Sequence, residues 1–223
     1  MAKRIGIIFH GIGTPDRPLE PGEAPYWIST DQYRGVLDQI CALPDPDAVC
    51  ISFDDGNRSD IEIGLPHLQE RNLRADFFVL SGRIGKPGSL DATAITALRD
   101  AGMGIGSHGV DHVAWNKLAP DALKRELELS RDVLENICNA RITAAGIPFG
   151  DYSAPVLSAL QRAGYDCAYS SDGGRMDDAA FLRPRTSVQA AMTAASVGSI
   201  LSARQSIARR MRRMVGMARK RLF

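Results

Sequence analysis

The feature that most constrains this chain is an alternation. Short apolar, β-branched runs occur at Arg4–Phe9, Ala48–Phe53, Ala75–Leu80, Gly104–Ser107, Thr143–Ile147, Cys167–Ser170 and Leu182–Val188. Between them lie longer stretches of helical periodicity at Thr30–Leu43, Ile61–Arg71, Asp91–Ala101, Pro120–Cys138 and Ala154–Ala163, followed by a C-terminal helix from about Val197. Parallel strands need long crossovers, and helices supply them. Asp91, and Ser153 ahead of Pro155, read as helix starts, and Gly102 and Gly164 read as helix stops. The pattern predicts one barrel-like α/β domain of about seven strand–helix units. The proline-rich segment Gly11–Pro25 follows the first strand. It falls where a barrel builds its sites, at the C-terminal ends of the strands.

Charge is distributed unevenly. The 223 residues carry 27 Lys and Arg against 26 Asp and Glu, a net charge of +1. Eight of the basic residues and none of the acidic ones lie in 204–223, leaving 19 basic against 26 acidic residues in 1–203. An acidic body with a basic tail does not describe a dedicated nucleic-acid binder. Thr186–Ala203 is free of charge but carries seven Ser, Thr and Gln residues, too polar for a stable membrane span. Ile5–Phe9 is too short for the apolar region of a signal peptide. Cys41, Cys50, Cys138 and Cys167 form no CxxC pair and read as free thiols in a reducing compartment. The expected location is cytoplasmic.

Three strand ends carry chemistry. In Ser52-Phe53-Asp54-Asp55-Gly56, two adjacent carboxylates follow an apolar run. Such a pair is costly unless a cation neutralises it, and a metal does so if one acid ligates and the other serves as base. The alternative is a turn with two solvated aspartates. In Ser107-His108-Gly109-Val110-Asp111-His112, two of the four histidines lie four residues apart. On a helical turn this spacing puts both rings on one face. Two histidines and one carboxylate make a facial metal site with open positions. In Ile147-Pro148-Phe149-Gly150-Asp151-Tyr152-Ser153, a tight turn can aim backbone N–H groups at an oxyanion.

Ser-Phe-Asp-Asp-Gly, His-x-x-x-His and Pro-Phe-Gly-Asp-Tyr, in this order and spacing, resemble the NodB-type polysaccharide deacetylases of carbohydrate esterase family 4. The resemblance runs from His10 to about Val188. It implies a distorted (β/α)7 barrel that removes acetyl groups from N-acetylated sugars with one divalent metal. Zinc stands first, and cobalt, nickel, manganese and iron are also compatible with the ligand set. Matched position by position, the resemblance makes Asp54 the catalytic base, with Asp55, His108 and His112 the metal ligands. Phe149 stands where the family usually has a Tyr whose backbone N–H holds the oxyanion.

Two departures stand out. The arginine that many members carry before the third motif is replaced by Ala145-Gly146-Ile147, and no histidine follows His112 to act as the late general acid. His10, at the end of the first strand, is the expected replacement acid. The exopolysaccharide (poly-N-acetylglucosamine) branch resembles this chain in having such a histidine. Arg183 and Arg185 flank Pro184 and are read as support for the base, as binders of an anionic substrate group, or as surface charge. Trp27 and Trp115 are candidate sugar-stacking platforms, with core packing the better reading for Trp27.

Residues 1–195 are assigned to the barrel and 196–223 to a basic amphipathic helix, with Ile200, Ile207, Met211, Met214, Val215, Ala218 and Leu222 on its apolar face. Such a helix packs on the barrel or lies on an anionic membrane; packing is favoured for Ile200–Met211, and a membrane or a partner for Arg212–Phe223. The expected activity is metal-dependent hydrolysis of an N-acetyl group. The alternatives are action on a polyprenyl-linked sugar at the inner membrane face and a non-catalytic carbohydrate-binding role.

Overall fold

The computed structural model describes residues 4–202 and 215–220. Seven parallel strands form the frame: β1 (Arg4–Phe9), β2 (Val49–Asp55), β3 (Ala75–Val79), β4 (Gly104–Ser107), β5 (Ala144–Gly146), β6 (Cys167–Ser170) and β7 (Leu182–Ser187). They pair in chain order, and β1 also pairs with β7, with Gly6 opposite Arg185, so the sheet closes. Closure is uneven. β1 and β2 share five register positions, whereas β4 and β5 meet only at Ser107 and Ala145. The result is a distorted (β/α)7 barrel, as expected. The two-residue strand Arg175–Met176 adds an antiparallel pairing to β1.

Strand alternation sorts the side chains into two layers. Ile7, Phe9, Ile51, Phe53 and Phe77 face the helices and form the main core with Tyr33, Val36, Leu37 and Leu98. Inside the barrel a smaller cluster holds Cys50, Phe78, Cys167, Tyr169 and Met176. The interior positions of β2 are therefore Cys50, Ser52 and Asp54, which brings a carboxylate to the barrel mouth. All four cysteines are free.

Helices α1 (Thr30–Cys41), α2 (Leu65–Gln69), α3 (Ala92–Asp100), α4 (Pro120–Cys138) and α5 (Ala154–Arg162) lie between the strands. The Asp91 carboxylate accepts the Ala94 N–H at 2.7 Å and caps α3. Gly102 and Gly164 adopt the positive φ of a helix stop. The helix expected over Ile61–Arg71 is shorter, because a π-helical turn occupies Asp60–Gly64. The Tyr33 hydroxyl donates to the Gly64 carbonyl at 2.9 Å, and Phe53 packs so close that a Cβ on Gly64 would lie 3.1 Å from its ring.

Helix α6 (Ala194–Leu201) begins two residues before the expected boundary at 196 and buries Val197 and Leu201 in the main core. Of the basic tail, residues 215–220 are helical. Ile207, Met211, Met214 and Leu222 lie outside the described residues, as does half of the expected membrane segment Arg212–Phe223. Among the described tail residues, Lys220 donates to the Gly150 carbonyl and to Asp172, both at 2.8 Å, which seats it on the C-terminal face of the barrel. No described helix is long and apolar enough to cross a membrane.

Candidate active site

Asp54 and Asp55 end β2, where strand alternation alone would send them to opposite faces. The positive φ of Asp55, 80°, breaks that alternation and lets both carboxylates line one cavity. Gly56 follows with φ 70°, and a Cβ there would stand 3.0 Å from Val79. The Asp-Asp-Gly sequence is thus a backbone device as well as a pair of acids. The cavity measures about 290 Å³ and is also lined by His10, Glu20, Tyr26, His108, His112 and Phe149.

Asp54 is bound on both oxygens by one guanidinium. Arg185 Nη1 donates to Oδ1 at 2.7 Å and Nη2 to Oδ2 at 2.9 Å, and Nη1 also reaches Ser52 Oγ at 2.7 Å. This is a bidentate, charge-assisted pair. Burial opposes ionisation of Asp54, but the Arg185 charge overcomes it and holds the carboxyl below its usual range. Arg185 is itself 1% exposed, with its guanidinium 4.8 Å from the Phe78 ring and 5.3 Å from that of Tyr169. It fits only because Gly6 lies opposite: a Cβ there would stand 2.7 Å from Arg185 Cγ. Of the three readings of Arg185, support for Asp54 matches this geometry, and neither a surface position nor a substrate-facing one does.

Asp55, His108 and His112 offer ligand atoms that all lie within 4.8 Å of one another. His108 Nε2 is 3.5 Å and His112 Nε2 is 3.7 Å from Asp55 Oδ1. That oxygen is buried and accepts no hydrogen bond. Burial works against the charge of Asp55, but the neighbouring imidazoles, His108 foremost, hold the carboxyl far below its usual range. The two histidines do not share a helical turn, contrary to expectation. Residues 108–112 are not helical: Gly109 has φ 91° and a bend follows over 110–112. The carboxylate of Glu126 on α4 staples the bend by accepting the N–H groups of Val110 at 2.8 Å and Asp111 at 3.0 Å.

Each histidine uses Nδ1 for a hydrogen bond and turns Nε2 inward. His108 meets the Gly146 carbonyl at 2.9 Å, and His112 meets Glu20 Oε2 at 2.7 Å. Two imidazoles and a carboxylate around an unpartnered buried oxygen suit a divalent transition ion with room for further ligands. His10 lies in the same cavity with its ring 5.0 Å from Tyr26, and its buried Nδ1 has no partner. Burial lowers its pKa, and the charges of Asp55 and Asp54 do not reverse that. Phe149 adopts φ 58° and stacks on His112 with ring centroids 4.3 Å apart, leaving the residue 56% exposed at the cavity rim.

Two expected substrate contacts lie elsewhere. Trp115 is fully buried, so it presents no face to a sugar. Arg183 points toward the other end of the barrel interior and bonds the Tyr169 hydroxyl at 3.1 Å and the carbonyls of Ala180 and Asp178. Trp27 is half-buried, packed on Gly11 and beneath the Arg17 guanidinium. The sequence reading missed Glu20 and Glu126. No spacing rule links Glu20 to His112, 92 residues away, and only its place in the loop after β1 hinted at a role.

Comparison with known proteins bears on the fold and the family. The family profile described as polysaccharide deacetylase matches residues 43–168, from before β2 into β6. YxkH of Bacillus subtilis (strain 168), whose name assigns it provisionally to the polysaccharide deacetylases, is 25% identical over 213 residues, covering 90% of this chain and 76% of YxkH. Streptococcus pyogenes deacetylase PplD, solved in complex with acetate, superposes with a TM-score of 0.76 at 19% identity over 89% of this chain and 98% of its own. IcaB from Ammonifex degensii gives 0.74 at 18% identity over 91% and 98%. At such identities the structural likeness speaks to the fold. The profile covers more than half of the chain and includes Asp54, Asp55, His108, His112 and Phe149, so the chain belongs to the polysaccharide deacetylase family.

Proposed function

We propose that this chain is a metal-dependent de-N-acetylase of an N-acetylated sugar or glycan. The observation that carries this reading is the partnerless Asp55 oxygen facing two imidazole Nε2 atoms, beside an Asp54 kept ionised by Arg185. Asp55, His108 and His112 would hold the ion, zinc first. A bound divalent metal supplies Lewis-acid polarisation and an activated water in such hydrolases.

The chain's own groups divide the remaining work. Asp54 accepts the proton of the attacking water, and Arg185 keeps its carboxylate oriented and charged. The Phe149 backbone N–H donates to the developing oxyanion. His10 protonates the leaving sugar amine. A cavity of about 290 Å³ lies at the low end of small-molecule sites, which fits engagement of one sugar unit at a time.

Asp54→Asn is expected to lower acetate release by about 10²–10⁴-fold with metal content unchanged. Near-wild-type turnover by this variant removes Asp54 as the base. Absence of both metal and acetate release from the wild type would favour the carbohydrate-binding reading instead. The basic tail supports a second substrate reading, a lipid-linked acetylated sugar at a cytoplasmic membrane face. Assaying soluble and polyprenyl-linked substrates side by side separates the two.

A further inference from the structure

The two candidate metal-ligating histidines are held by different kinds of acceptor. His108 Nδ1 meets a neutral backbone carbonyl, Gly146, at the end of β5. His112 Nδ1 meets a carboxylate, Glu20, from the loop after β1. That carboxylate is itself restrained. Its other oxygen is bonded by Arg83, from the turn after β3. Its backbone N–H donates to Glu23 at 2.7 Å. Glu23 in turn pairs with Arg17, which also donates to Asn57 Oδ1 at 2.8 Å beside the Asp-Asp-Gly turn. The loop is thereby tied to the ends of β2 and β3, and Glu20 is its contact with His112.

A ligating imidazole needs the lone pair of one ring nitrogen free for the ion, so its proton must sit on the other nitrogen. An acceptor at Nδ1 selects that tautomer, and a charged acceptor also makes Nε2 more basic. We propose that Glu20 is a positioning residue of the metal centre. It holds the His112 Nδ1 proton, aims Nε2 at the ion, and makes the proline-rich loop part of the metal site. The inference rests on the metal reading above. It concerns the half of the site that the barrel cannot hold by itself, since His112 lies on a bend beyond β4 with no backbone carbonyl at its Nδ1.

The test measures zinc affinity of the full chain by competition with a chromophoric chelator, for wild type, Glu20→Gln and Glu20→Ala. Glu20→Ala is expected to weaken zinc by about 10–100-fold. Glu20→Gln is expected to weaken it less, because an amide oxygen still accepts the Nδ1 proton without the charge. In the proton NMR spectrum, the downfield ring N–H signal of His112 should disappear in Glu20→Ala while that of His108 persists. Excess zinc should restore the lost acetate release. Equal zinc affinity in all three proteins overturns the role of Glu20 and leaves the metal reading standing. A wild type that binds no zinc overturns the metal reading itself. The isosteric Gln variant keeps the test decisive if the Ala variant folds poorly.

Discussion

The two halves of the candidate site are built on different principles. Asp54, Asp55, Arg185 and His108 lie at or next to strand ends, and each is at most 4% exposed. Their positions follow from strand register and from one buried ion pair. His112, Glu20 and Phe149 come from loops, are partly exposed, and hold one another through a hydrogen bond and a ring stack. The barrel-held half is rigid and expensive to disturb, because a broken pair leaves a charge in a dry interior. The loop-held half, being partly exposed, should contribute less to folding and be easier to retune. Stability and metal affinity should therefore be separable within one site.

The sharpest way to break this comparison is Arg185→Leu. It removes the counterion of Asp54 and should cost about 3–5 kcal/mol, read from urea unfolding. Adding Asp54→Asn should recover part of that loss. A single variant with an unchanged midpoint would show that the barrel half is not held by the pair.

Asp60 gives a smaller effect with a defined pH dependence. It is fully buried, and neither of its oxygens makes a hydrogen bond of ordinary geometry. Burial, followed by the charge of Asp55, raises its pKa well above the usual carboxylate range, and the Asn57 backbone offsets this only in part. A pKa raised in the folded state contributes stability that is fully present below the unfolded value of about 3.9 and is lost as pH rises through the folded value. Asp60→Asn cannot ionise. Its stability relative to wild type should therefore grow between pH 5 and 8, by about 1–3 kcal/mol in thermal melts. A constant difference across that range would show that Asp60 does not titrate there.

Phe149→Ala belongs at the small end. It removes the ring over His112 but keeps the backbone N–H. Stability should change by less than about 0.5 kcal/mol, as for other exposed sites. Acetate release should fall by only a few-fold. A loss as large as that of Asp54→Asn would assign the ring itself a part in the chemistry.

Much of this architecture was legible in the chain. Strands of four to seven apolar residues and helices closed by Gly102 and Gly164 obey local rules, and their boundaries came within a few residues. The motif at Asp54 and Asp55, which alone reads as an ordinary turn, became legible as a site only beside the pair His108 and His112, because together they supply complementary ligands for one cation. The shortened α2 was not legible, since the π-helical turn at Asp60–Gly64 answers to packing against Tyr33 and Phe53. Trp115 carried the wrong suggestion for a similar reason: composition does not say whether an indole faces solvent.

The sequence alone determined the seven strand segments, the strand ends that carry chemistry, and the residue types gathered there. Only the tertiary structure decided between Arg183 and Arg185. Both occupy the same face of β7, two residues apart, but only Arg185 lies opposite Gly6, whose missing Cβ leaves room for its guanidinium to reach Asp54. Glu20 and His112 likewise meet because closure of the barrel brings the exits of β1 and β4 to the same rim. Local sequence sets the period of each element, while long-range register sets which side chains share a cavity, and no short-range pattern records that.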